Sequence, residues 1–160
     1  MTPLNRQIGT SLIELLISTL ITAIGLLGLS KIQVNSLVNS QQSYHSTAVT
    51  WQLYQIAERM RANTAAANNG NYLGNGADND CLTTACSSQQ MAQFDIFNWN
   101  LDNAAFFPSG QGTITQPGGT GADYLITVRW DGNRNGATGT GCDVTDNTDL
   151  LCNTLTVTIN

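Results

Sequence analysis

Hydrophobic and polar positions divide this chain into an apolar front and a mixed remainder. From Thr10 to Leu29 apolar residues dominate, small hydroxyl residues are interspersed, and the one charge is Glu14. A bilayer-spanning helix needs about 20 predominantly apolar residues, because a ~30 Å hydrocarbon core is crossed at ~1.5 Å per residue. This stretch meets that length. From Ile32 to Met60 neither proline nor glycine interrupts the chain, and Leu53, Ile56, Ala57 and Met60 recur at i, i+3, i+4 and i+7, one face of a helix. Val38, Ala48 and Val49 extend that side upstream, with Gln41, Gln42 and Ser43 on the wetter surface. An end is expected near Asn63, just before Asn and Gly cluster at 68–70. The pattern predicts one helix of roughly 50 residues, its first half in lipid and its second half against a globular head.

Beyond it, residues 64–90 read as a polar excursion. Between Gln89 and Leu101, the apolar residues Met91, Phe94, Phe97, Trp99 and Leu101, with Asp95 and Asp102 interspersed, predict a short helix whose aromatics pack on the long one. Residues 108–123 hold Pro108, Pro117 and five glycines (Gly110, Gly112, Gly118, Gly119 and Gly121), a loop by composition. Tyr124–Trp130 is the best strand, rich in β-branched and aromatic residues, and Leu155–Ile159 alternates as a second, antiparallel to it. A further strand is expected near Gly112–Thr115. A two-stranded hairpin alone is marginal in water, so the head needs the helix behind it. The fold class is α+β, one long N-terminal helix on a small antiparallel sheet.

Glu14 changes the reading of the apolar stretch. A carboxylate costs on the order of 2.5–3.5 kcal/mol at the centre of a membrane helix, so a partner for it is the default expectation. It stands five residues after Gly9, which closes a short polar leader containing Arg6. Ile8-Gly9-Thr10-Ser11-Leu12-Ile13-Glu14-Leu15-Leu16 resembles the signal of type IV prepilins: a basic leader ending in Gly, then a hydrophobic helix with Glu at its fifth position. The resemblance implies a type IV pilin-like fold and a helix that continues beyond the bilayer. It also implies cleavage by a prepilin peptidase between Gly9 and Thr10, N-methylation of Thr10, and pairing of Glu14 with a neighbouring subunit's amino terminus during assembly. The family usually has Phe or Met where this chain has Thr10. A cleavable secretory signal fits less well, since no small-x-small site closes the apolar run; an ordinary signal anchor is the plainer alternative. Leu26-Leu27-Gly28-Leu29, Ala57-Glu58-Arg59-Met60-Arg61-Ala62-Asn63, and the stretch with Cys86, Met91-Ala92-Gln93-Phe94-Asp95 and Trp99 resemble segments of PilV-type minor pilins.

The implied organisation is a leader at 1–9, a transmembrane and assembly half of the helix at 10–30, and a soluble helix half with the head at 31–160. Gly25 and Gly28 lie in the membrane half, where small residues let helices approach closely, though glycine is common in membrane helices anyway. Arg6 is weak evidence for a cytoplasmic N-terminus, with Lys31 just past the span. Arg59 and Arg61 suit the negative end of the helix dipole.

Composition narrows the function. Only 11% of the 160 residues are charged, and the net charge is −5. Loss of the leader with Arg6 leaves five basic against eleven acidic side chains, or −6. An acidic surface repels phosphate backbones, and the cations available for a local patch (Arg59, Arg61, Arg129, Arg134) are few, so no nucleic-acid partner is expected. Four cysteines after a membrane-targeting segment imply two disulfides in an oxidising compartment. Three connectivities are open; Cys81–Cys86 with Cys142–Cys152 is preferred because it closes short loops in Gly/Asn-rich stretches. A Zn site competes on the Cys81–Cys86 spacing, but Cys142 and Cys152 are too far apart for the usual pair.

Asp131-Gly132-Asn133-Arg134-Asn135-Gly136 has oxygen side chains at positions one, three and five and Gly at six, as a calcium loop begins. The twelfth position, where a bidentate carboxylate belongs, is Cys142. Asp143, Asp146 and Asp149 are the other carboxylates nearby, and related pseudopilins use a calcium loop near the C-terminus. Turn formation is the preferred role of Asp131, Asn133 and Asn135, and no metal or other cofactor is expected. His45, the single histidine, lies mid-helix, and no nucleophile elbow, P-loop or His-Glu-x-x-His occurs, so no enzyme is expected. The expected function is that of a minor type IV pilin: inserted in the bacterial inner membrane with its N-terminus cytoplasmic, processed, and incorporated into an extracellular pilus to support assembly or tip function. Its partners would be the prepilin peptidase, other major and minor pilins, and inner-membrane lipid. The alternatives are a minor pseudopilin of a type II secretion system and an adhesive tip subunit with exposed Gly/Asn-rich loops.

Overall fold

A computed structural model of the chain describes residues 12–118 and 122–159. Gly9 and Thr10, and Gly119 and Gly121 of the proline- and glycine-rich loop, lie outside the described residues. The chain divides into two compact units between Gln41 and Gln42. The described part of the first is helix α1 alone, which spans Leu12–Ala62 and continues into the second. The second unit adds α2 (Thr64–Asn68), α3 (Ser88–Phe106), β1 (Gln111–Thr115), β2 (Asp123–Trp130) and β3 (Leu151–Thr158). The strands form one antiparallel sheet in the order β1-β2-β3. The layout is α+β, a long N-terminal helix packed on a small three-stranded sheet.

Periodicity explains most of the core. Val49, Leu53, Ile56, Ala57 and Met60 are all buried on one side of α1. Strand β2 pairs on both edges, with Ile126 opposite Ile114 of β1 and Leu155 of β3. Its alternate residues Tyr124, Ile126, Val128 and Trp130 join the same core as the α1 residues, while Val157 and Ile159 contribute from β3 and just beyond it. Burying one such apolar side chain is worth about 1.5–3 kcal/mol, so this shared core is what makes three short strands stable.

Helix α3 starts with a capping box: the Ser87 hydroxyl accepts from the Gln90 backbone N–H at 3.3 Å and the Gln90 side-chain Oε1 accepts from the Ser87 N–H at 3.0 Å. The helix runs to Phe106, longer than its apolar spacing predicts, and presents a different face. Its buried residues are Ala92, Asp95, Ile96, Trp99 and Asn103, whereas Met91, Phe94 and Phe97 are half-buried and Leu101 is exposed. Of the predicted apolar face only Trp99 is fully buried. Trp99 is held by its indole N–H, which donates to the Gln52 carbonyl at 3.0 Å. A Cβ on Gly112 would overlap the Trp99 ring, so the absence of a side chain there lets β1 lie against α3.

The stretch 64–90 is not merely a polar excursion. It contains α2, whose Ala66 and Ala67 are buried, and Tyr72, which is fully buried. The Tyr124 hydroxyl donates to the Ala67 carbonyl and anchors α2 to the sheet. Strand β3 also begins earlier than its clean alternation suggests, at Leu151, because Trp130–Leu151 and Arg129–Cys152 continue the pairing.

Candidate functional site: the anchor helix and its lone carboxylate

Among the described residues, α1 is the one helix long and apolar enough to cross a membrane, and its apolar window is unburied by the rest of the chain. Leu12, Leu16, Ile21, Leu27 and Ile32 are all exposed among the described residues, a stretch that water would disfavour. Its hydroxyl residues do not depend on water either. Ser18, Thr22 and Ser30 donate to the carbonyls of Glu14, Ser18 and Leu26 at 2.7–2.8 Å, and Thr19 donates to Leu16 at 2.9 Å. Bonded back along the helix, these groups carry no free O–H donor into hydrocarbon. Glu14 lies in the first turn, exposed, and it has no ion-pair partner among the described residues. The helix passes through Gly25 and Gly28 unbroken, with open space beside both.

In the second unit the two disulfides join Cys81 to Cys86 and Cys142 to Cys152, with Cα–Cα separations of 5.5 and 5.6 Å. The first closes the loop leading into α3; the second pins the β2–β3 connection to a residue of β3. No cysteine is free.

The Asp131 segment is a turn. Asp131 is buried, and its carboxylate oxygens accept the backbone N–H groups of Asn135 at 3.2 Å and Gly136 at 2.8 Å. Asn135 accepts from the Ala137 N–H at 3.1 Å and donates to the Asn147 carbonyl at 2.8 Å. Asn133 is exposed, and Cys142, where a calcium loop requires a carboxylate, is committed to a disulfide. The acids downstream are also engaged locally. The Thr145 hydroxyl and N–H hold the exposed Asp143 carboxyl below its usual range, and the Thr148 N–H and hydroxyl do the same for Asp146. Asp149 accepts from the Asp143 N–H at 3.1 Å. Among the described residues no three His, Cys, Asp or Glu side chains converge as a metal site. These residues do not fit a calcium loop, since their oxygens close turns.

One polar constellation had no signal in the residue pattern. Arg59 Nη1 lies 3.2 Å from Asp95 Oδ1, and the Tyr72 hydroxyl donates to Asp95 Oδ2 at 2.8 Å and approaches the Arg59 carbonyl at 3.2 Å. Burial first, and the Asp95 hydrogen bond second, push the Tyr72 phenol well above its usual 10.0. The cluster ties α1, α3 and the segment after α2 together, so Arg59 does more than complement a helix dipole. Glu58 and Arg61, also paired, are solvent-exposed and contribute little.

Compared with known proteins, the chain matches no protein-family model, no curated protein and no solved structure.

Proposed function

We propose that this protein is a minor type IV pilin, held in the bacterial inner membrane by the front of α1, processed by a prepilin peptidase, and then built into an extracellular pilus. The observation that carries the reading is a single helix, Leu12–Ala62, whose exposed apolar front holds one carboxylate, Glu14, while its C-terminal turns bury one face, Val49, Leu53, Ile56, Ala57 and Met60, in a head. An ordinary anchor has no need of that carboxylate. An assembling subunit has: Glu14 finds the amine of a neighbour's new terminus at Thr10 when the apolar helix exchanges lipid for a bundle of like helices. Hydrocarbon disfavours the unpaired charge by on the order of 2.5–3.5 kcal/mol at depth, so pairing favours the assembled state. The leader residue Gly9 is the cleavage position, and the two disulfides suit a head that works in an oxidising compartment.

The test is intact and N-terminal peptide mass spectrometry on protein from sheared pili beside the membrane fraction. A chain starting at methylated Thr10 and present in pili is expected. An uncut chain beginning at Met1 and confined to the membrane would overturn the reading. Cut protein absent from pili would point instead to a secretion pseudopilin.

A further inference from the structure

The second unit carries a groove of about 450 Å3 between α1 and α3 that none of the preceding roles uses. Its walls include three aromatic side chains, Tyr44, Trp51 and Phe106, which are 68%, 71% and 60% exposed. Trp99 and Trp130, by contrast, are buried, so Trp51 is the one indole of the chain left in water. The polar lining is Gln52, Gln55 and Asp102. Gln52 is 4% exposed, and both glutamine Oε1 atoms are buried without a hydrogen-bond partner. A buried acceptor left unpaired is unfavourable, and a bound donor would relieve that cost. Asp102 has no ion-pair partner among the described residues, and no Lys or Arg lines the groove.

The unsatisfied groups are therefore all acceptors, one wall is anionic, and aromatic faces surround them. The complement of such a surface has N–H donors, no acceptor, positive charge, and a flat apolar body. A guanidinium meets all four conditions: it has five donors and no acceptor, and it stacks on aromatic rings. A sugar meets them less well, because each hydroxyl brings an acceptor of its own into an acceptor-rich site. Long-range charge agrees. Residues 42–160 hold four basic and ten acidic side chains, which draws cations toward this unit. We infer that the groove formed by Tyr44, Trp51, Phe106, Gln52, Gln55 and Asp102 receives an arginine side chain presented by a partner protein. The inference does not depend on the pilin reading, since every residue it uses belongs to the second unit.

The test is a nuclear magnetic resonance titration of the isotope-labelled full chain in nonionic micelles. The probes are the blocked peptide acetyl-Gly-Arg-Gly-amide, the same peptide with Gln for Arg, and cellotetraose. The arginine peptide is expected to shift the Trp51 indole N–H saturably, while the other two leave it in place. Raising the salt from about 50 to about 500 mM is expected to weaken binding several-fold. Trp51→Ala and Asp102→Asn, followed on the Phe106 amide, are each expected to weaken it about tenfold or more. Trp51 is exposed and Asp102 half-buried, and an unchanged amide spectrum elsewhere verifies the fold. No saturable shift with the arginine peptide, an equal response to the glutamine peptide, saturation by cellotetraose alone, or undiminished binding in Asp102→Asn would each overturn the inference.

Discussion

Replacing Asp95 by alanine tests how the head is held together. The side chain of Asp95 is 12% exposed and that of Arg59 31%, so the pair is largely out of water on one side and open on the other. Breaking a fully buried pair by removing one partner costs about 3–5 kcal/mol. Arg59 can turn partly toward solvent, which lowers that figure, while the Tyr72 hydroxyl loses its 2.8 Å bond and keeps the weaker one to the Arg59 carbonyl. Asp95→Ala is therefore expected to destabilise the head by about 2–3 kcal/mol. Asp95→Asn keeps an acceptor for Tyr72 and loses only the charge, so about 1 kcal/mol is expected. Glu58→Ala, which breaks the exposed pair with Arg61, is the control at no more than about 0.5 kcal/mol. The assay is urea unfolding of the full chain in nonionic micelles, read by the fluorescence of the buried Trp99 and Trp130. Asp95→Ala no more destabilising than Glu58→Ala would refute the reasoning, and equal losses for the alanine and asparagine variants would show that charge, not Tyr72, carries the whole effect.

Two further outcomes follow from the same geometry. The phenols of Tyr72 and Tyr124 are both raised above 10.0, so the folded head holds their protons more tightly than the unfolded chain. Their contribution is complete below pH 10.0 and is lost as pH rises beyond it, so the urea midpoint is expected to fall on the alkaline side, and less so in Tyr72→Phe. Removing the Cys142–Cys152 disulfide, with a sequence separation of 10, is expected to cost about 3 kcal/mol, and removing Cys81–Cys86, with a separation of 5, about 2 kcal/mol, by the entropy of loop closure. Thermal melts of the paired serine variants check both figures.

Wherever one face of an element meets one neighbour, the pattern of residues along the chain was enough. The Leu53–Ile56–Ala57–Met60 face of α1, the alternation of β2, the antiparallel placing of β3 and the lone Glu14 in an apolar stretch are local periodicities or a local exception to one, and hydrophobic burial reads them directly. The inner face of α3 was not legible in the same way. Which side of that helix turns inward depends on the fit of Trp99 against residues elsewhere in the chain: it lies against Gly112 and bonds a carbonyl 47 positions back. Asp95 had no partner legible in the residue pattern, because Arg59 stands 36 residues earlier and Tyr72 23 earlier. The spacing of Asp131 and Asn135 favoured a turn over an ion loop, and their hydrogen bonds to nearby backbone groups make that turn. Trp51 sits one residue before the buried Gln52 and two before the buried Leu53, and only the placing of α3 set Phe106 and Asp102 across from it. The residue order thus determined the apolar stretch, the long helix and the strands, because those depend on neighbours within a few positions. Tertiary structure decided the polar cluster and the aromatic groove, because the partners in each come from separate elements.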